Sequence, residues 1–387
     1  MEDFDTICCC SLNRIFGFEP AIARRLVDFH GGAGAVFRMD REELSGILGP
    51  FSKYTDRINS RELEISAREL ETLKRDGYSF VPYGSGDYPL LLKECDDAPM
   101  GLYVRSGTEI DKIFNTTPCI SVVGTRDISP YGAEWCRRIV GAMATAQIKP
   151  VIVSGLAIGV DITAHEAALD NGLATIAVMA TGVDAVYPAR HKGFALKMEQ
   201  ARGCALISDY PPHTAPVAVN FLRRNRIIAG LSTTTILIES KEKGGGMVTA
   251  DIASSYNREV YALPGRIDDV RSQGCNRLIR GKIAEPVTDL DNFVNSLGLG
   301  TWSRRTVKDL DTEILEKYGN ALDDGLLTLI RNTASLIKKY RGATLEELCN
   351  LGNMNWRDIT YAVGMLENDG IISVDLLQRC SINVKKD

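Results

Sequence analysis

No apolar run in this sequence approaches the roughly 18–20 residues needed to span a bilayer. The most hydrophobic stretches, residues 151–160 and 174–183, are short and broken by glycine. The first residues, Met1-Glu2-Asp3-Phe4-Asp5, are acidic where a secretory signal needs positive charge, so no membrane association and a cytoplasmic location are expected. Histidine is scarce: His30, His165, His191 and His213 have no partner at a diagnostic spacing. There is no P-loop, no G-x-S-x-G and no H-E-x-x-H, which removes the commonest NTPase, serine-hydrolase and zinc-protease readings. The ten cysteines form no C-x-x-C pair in a chain too large to need disulfide staples. Cys8, Cys9 and Cys10 are adjacent on a helical pattern and point in different directions, so they are expected as buried small hydrophobes, not zinc ligands.

What is present is ordinary for a globular chain of 387 residues: 44% apolar, 25% charged, 35 Gly and 14 Pro. That length suggests two or three domains. The formal charge of −5 argues at first against a polyanionic partner, but it averages unlike parts. Residues 120–282 carry 19 Lys and Arg against 14 Asp and Glu, so the excess of acid lies wholly in the flanks.

Residues 1–80 carry Leu12, Ile15, Phe16, Ile22, Leu26 and Phe29 at helical spacing, which predicts a small helical domain. Gly17-Phe18-Glu19-Pro20 is similar to the hairpin turn of helix-hairpin-helix modules but lacks the second glycine, so a structural turn is expected there before a DNA contact. From Cys119, short β-rich runs at 120–123, 151–153, 175–178, 205–207, 235–238 and 260–263 alternate with helical segments. This is the pattern of a doubly wound, mostly parallel α/β sheet with both faces covered. Ser129-Pro130 marks a helix start, and Asp161 to Gly172 reads as a helix with an acidic cap. Residues 297–321 read as a linker with a loose helix. Residues 322–387 give three helices, the second opened by the capping box Thr344-Leu345-Glu346-Glu347, and then a strand: the order of a winged helix.

In such a sheet the ligand site lies beyond the carboxyl ends of the strands. Val123-Gly124-Thr125-Arg126 runs from a strand into a Gly turn, with a hydroxyl and a guanidinium suited to phosphate. A second loop, Ser154-Gly155-Leu156-Ala157-Ile158-Gly159-Val160-Asp161, offers Gly155 and Gly159, with Asp161 expected to brace the loop. The third stretch, Phe221-Leu222-Arg223-Arg224-Asn225-Arg226, sets three arginines beside a ring, the pairing that tracks a single strand by charge and stacks its bases. Gly244-Gly245-Gly246 and the pair Pro264-Gly265 with Gly274-Cys275-Asn276 complete the rim, either as phosphate cradles or as packing glycines. His165 is expected to be a structural hydrogen-bonder, and Glu239 is the one carboxylate that merits a catalytic test.

Taken in order, these motifs, together with Gly86-Asp87-Tyr88-Pro89, Leu102-Tyr103-Val104-Arg105, Gly182-Val183-Asp184 with Tyr187-Pro188, and Thr249-Ala250, resemble the DNA-processing protein A family, DprA or Smf, over about residues 80–296. The resemblance implies an extended Rossmann-like core, 81–296, preceded by a sterile-alpha-motif-like domain and followed by a winged helix. It implies a homodimer that binds single-stranded DNA, protects it and hands it to the RecA recombinase in natural transformation, with no turnover and no cofactor. The implied DNA contacts are Gly124, Thr125 and Arg126, and Phe221, Arg224, Asn225 and Arg226. Leu222 stands where the family commonly has Pro, Ile158 where Arg is frequent, and Gly244-Gly245-Gly246 replaces Ser-Gly-Ser/Thr. The helix at 356–368 lacks a basic face, so a protein contact or a structural role is expected there before duplex reading. The rival reading is a Rossmann-like nucleotide phosphoribohydrolase, which would use Gly245-Gly246, Arg126 and Glu239, although their order and spacing differ from that signature.

Overall fold

The computed structural model describes residues 3–299, 310–319, 322–340, 343–374 and 378–382. They form two compact units, Met1–Gly300 and Thr301–Asp387. No described helix is long and apolar enough to cross a membrane.

The first unit is built on a nine-stranded sheet in the order β1-β2-β6-β5-β4-β3-β7-β8-β9. The strands are β1 Ser79–Pro82, β2 Gly101–Arg105, β3 Cys119–Val123, β4 Val151–Ser154, β5 Thr175–Val178, β6 Ala205–Ser208, β7 Thr234–Leu237, β8 Glu259–Ala262 and β9 Glu285–Pro286. From β6 to β9 every pairing is parallel, while β1–β2 and β2–β6 are antiparallel. The chain lays down β3 to β6 in one direction, then returns to the other side of β3 for β7, β8 and β9. Progress therefore reverses between β3 and β7, where the departing loops diverge and leave a crevice.

The central strands are apolar at consecutive positions because alternate side chains feed opposite layers. Ile120, Val122, Ile152 and Ile236 pack with Ile139, Val140 and Met143 of the Pro130–Met143 helix and with Val160 and Ala164 of the Val160–Asp170 helix. Val123, Val153, Val178 and Leu237 face the other way, onto Ile227, Ile228 and Leu231 of the Ala218–Leu231 helix and Ala250 and Ala253 of the Gly245–Ser255 helix. Each fully buried Val, Leu, Ile or Met side chain among them contributes about 1.5–3 kcal/mol.

The N-terminal helices, among them Phe4–Ile15, Pro20–His30 and Ser60–Arg75, do not have a core of their own. Cys8, Leu12, Phe16 and Leu26 belong to the same cluster as Leu92, Leu102 and Ile227. The fully buried Tyr103 of β2 donates its hydroxyl to Glu69 Oε1 at 2.5 Å, fixing the Ser60–Arg75 helix to the antiparallel edge. Cys8, Cys9 and Cys10 are buried, and burial pushes the Cys8 and Cys9 thiols up to about 12 and about 11.

The second unit contains the helices Leu310–Tyr318, Asp324–Lys339, Leu345–Gly352 and Trp356–Asn368, with the strands β10 Ile372–Val374 and β11 Cys380–Ile382. Thr344 and Glu347 form the reciprocal capping box. Ile314 and Tyr318 are buried with Ile330, Leu348 and Ile359, so this core takes in a helix from the stretch that reads as a linker in the sequence.

Candidate nucleic-acid interface

The loop leaving β3 is stitched to both neighbours. Thr125 N donates to Glu239 O at 2.7 Å, and Val160 N donates to Thr125 O at 3.1 Å. Such an approach leaves no room for a side chain at Gly124, where a Cβ would lie 2.6 Å from Val160 Cγ2 and 2.8 Å from Glu239 O. Gly159 has φ +83°, and a Cβ there would meet Thr125 O at 2.3 Å. Gly159, not Asp161, is the N-cap of the Val160–Asp170 helix. Asp161 is the buried second residue of that helix, and its Oδ2 accepts from Ala157 N at 3.4 Å. Burial raises its carboxyl above the ordinary value, opposed chiefly by Arg224.

The three arginines diverge because a helix turns about 100° per residue. Arg224 is 4% exposed, and its Nη1 donates to Gly155 O at 2.7 Å and to Val178 O. A Cβ at Gly155 would lie 2.4 Å from Arg224 Nη2, so that glycine makes room for the guanidinium. Burial lowers the Arg224 value, offset mainly by Asp161. Arg226 is turned inward, ion-paired with Asp209 at 2.5 Å and donating to Asp97 O. Arg223 leaves on the third side, donating Nη2 to Gly17 O at 2.5 Å. Asn225 Nδ2 donates to Gly245 O at 3.4 Å. Phe221 is half-buried, with Tyr187 edge-on at 5.4 Å and the exposed Arg126 guanidinium over its ring at 5.1 Å.

These groups frame a cleft of about 260 Å³ at the reversal between β3 and β7. Gly124, Thr125, Arg126, Phe221, Arg224 and Asn225 line it. Gly155 and Gly159 stand behind the lining, while Arg223 and Arg226 are directed elsewhere. The lining also includes Ser240, Lys241, Gly244, Gly245, Gly246 and Thr249. Its charges are Arg126, Arg224 and Lys241 against Asp161 alone, and the uncapped N-terminus of the Gly245–Ser255 helix adds a partial positive charge. Lys241 escaped the sequence reading. Its signal is positional: it follows β7, next to the strand at which the winding reverses.

The remaining candidates are structural. Glu239 is buried, with Oε2 accepting from Ser129 N at 2.8 Å and Oε1 from Ser129 Oγ at 2.5 Å, so it braces the start of the Pro130–Met143 helix. His165 Nδ1 pairs with Thr175 Oγ1 at 2.6 Å, and burial drives its value down to about 3. Gly265 and Gly274 serve close packing, because a Cβ would meet Ser272 Oγ at 2.0 Å in one case and Ser240 O at 2.7 Å in the other. Gly245 differs, since a Cβ there would meet nothing within 4 Å. The open part of the site thus combines cations, backbone amides at a helix N-terminus and a half-exposed ring, which suits an anion bearing planar groups.

The chain is similar to proteins of known family. Over 288 residues the chain is 35% identical to Protein Smf from Synechocystis sp., covering 74% of this chain and 71% of that protein. The crystal structure of DNA processing protein A from Streptococcus pneumoniae superposes with a TM-score of 0.62 at 28% identity, covering 73% of this chain and 97% of that one. DNA processing protein A from Helicobacter pylori, whose structure concerns its single-stranded DNA binding mode, has a TM-score of 0.50 at 30% identity and covers 57% and 95%. Residues 79–298, the sheet with all the cleft-lining residues, match the family described as DNA recombination-mediator protein A, and it is to this family that the chain belongs.

Proposed function

We propose that the cleft holds single-stranded DNA and that the protein acts as a recombination mediator, protecting incoming strands and passing them to the RecA recombinase as a homodimer. The observation that carries the reading is the Arg126 guanidinium laid over Phe221 at the mouth of a cleft whose other charges are two cations and one acid. Phosphates would lie against Arg126, Lys241 and the amides of Gly245 and Gly246, with a base on Phe221. Family membership supports the mediator role, and the Helicobacter pylori relative supports a single strand as the ligand.

The phosphoribohydrolase alternative has less support, since both oxygens of Glu239 are engaged by Ser129 and the residue does not line the cleft. Both readings are open to direct test. Replacing Phe221 by Ala in the full-length protein should weaken oligo-dT binding by about 5- to 150-fold, the range for losing one stacked base. Unchanged affinity in a folded variant would remove the ring from the site. Release of free base from nucleoside monophosphates by pure protein, abolished by Glu239→Gln, would favour the enzyme.

A further inference from the structure

We propose that the strand path does not end at the cleft: it crosses the first turns of the Ala218–Leu231 helix and reaches the Gly17-Phe18-Glu19-Pro20 turn, where Phe18 stacks a further base. This rests on the single-strand reading of the cleft and extends it onto a segment outside the family match, which begins at residue 79.

Phe18 is 60% exposed at the turn between two buried-faced helices, with the Arg223 guanidinium over its ring at 4.6 Å. That repeats the Arg126–Phe221 arrangement at 5.1 Å. The two arginine–ring pairs are borne by one helix, because Phe221 and Arg223 leave it about 200° apart. Leu222 lies between them, exposed and already part of the cleft wall, with exposed Val219 one turn earlier. The helix contains no acidic residue, so a phosphate backbone crossing it meets no repulsion there. Glu19, the one acid in the turn, is paired with Lys53 at 3.3 Å.

The turn is tied to this helix by hydrogen bonds, which lowers the ordering cost when a strand arrives. Arg223 donates to Gly17 O, Asn13 Nδ2 donates to Asp209 O at 2.8 Å, and Asp209 is the ion-pair partner of Arg226. A single strand is the fitting occupant, since a duplex has its bases already stacked and cannot offer one to an isolated ring.

The test uses full-length protein and fluorescent oligo-dT of about 4 and about 16 nucleotides, the span of known single-strand site sizes. Phe18→Ala should weaken the long strand by about 5- to 150-fold and leave the short one within about twofold, and Phe18→Trp should restore binding. Phe29→Ala, which removes an exposed ring at the far end of the Pro20–His30 helix, should change neither. Arg126→Ala should weaken both lengths. Wild-type affinity of Phe18→Ala for the long strand, with Arg126→Ala still impaired, would overturn the extension and leave the cleft reading standing. Equal loss at both lengths would also overturn it. If Arg126→Ala leaves both lengths unchanged, the cleft reading fails and takes the extension with it.

Discussion

Replacing Arg224 by Met tests whether the buried guanidinium and Asp161 form one electrostatic unit. Met keeps most of the aliphatic length but removes the charge and the donors to Gly155 O and Val178 O. It leaves two carbonyls under-satisfied and deprives the buried Asp161 carboxylate of its chief compensating charge. Stranding those buried acceptors costs about 1–3 kcal/mol each. The loss should depend on pH. Asp161 has a folded-state value raised above 3.8 by burial, so the folded protein holds its proton more readily than the unfolded chain does. Its ionised form therefore costs stability at neutral pH, and the cost is relieved as pH falls through the raised value toward 3.8. Without Arg224 that value rises further, so the gap between variant and wild type should be widest near neutrality and narrow on acidification. Adding Asp161→Asn to the Arg224→Met variant should recover at least about 1 kcal/mol, within the range for directly coupled residues. Urea unfolding followed by circular dichroism at neutral and acidic pH measures both effects. A loss independent of pH, with no recovery from the second substitution, would refute the coupling.

Gly159→Ala should cost about 2 kcal/mol or more, because φ is +83° and the new methyl group would press on Thr125 O; a melting temperature measures it. Arg226→Met should destabilise by about 3–5 kcal/mol by stranding Asp209, yet leave the oligo-dT affinity of the folded fraction unchanged. A selective loss of affinity there would place Arg226 at the DNA after all.

Much of the core was legible in the sequence. The six parallel strands β3 to β8 lie within a residue of the β-rich runs, since strands buried on both faces must be apolar throughout. Ser129 caps its helix through Gly132 N at 3.0 Å, with Pro130 in the first turn, as the dipeptide suggests. The two edges were less visible: β1, at the antiparallel edge, is four residues ending in Pro, and β9, at the parallel edge, is two residues long. The helical segment reads as separate because its amphipathic faces say only that they are buried, not that β1 and β2 bury them. The arginine cluster was half legible. Composition shows the charge, but the opposite fates of Arg223, Arg224 and Arg226 depend on Gly17, Gly155 and Asp209, none of which is adjacent in sequence.

The most direct test of the central claim is a titration of fluorescent oligo-dT into wild-type protein and Arg126→Ala across a range of salt concentrations. Single-strand affinity should fall on a log–log plot by about 0.7 per phosphate neutralised, and the variant should lose about one such unit of slope. The same slope for both proteins, or affinity that ignores salt, would contradict a phosphate-binding cleft at Arg126.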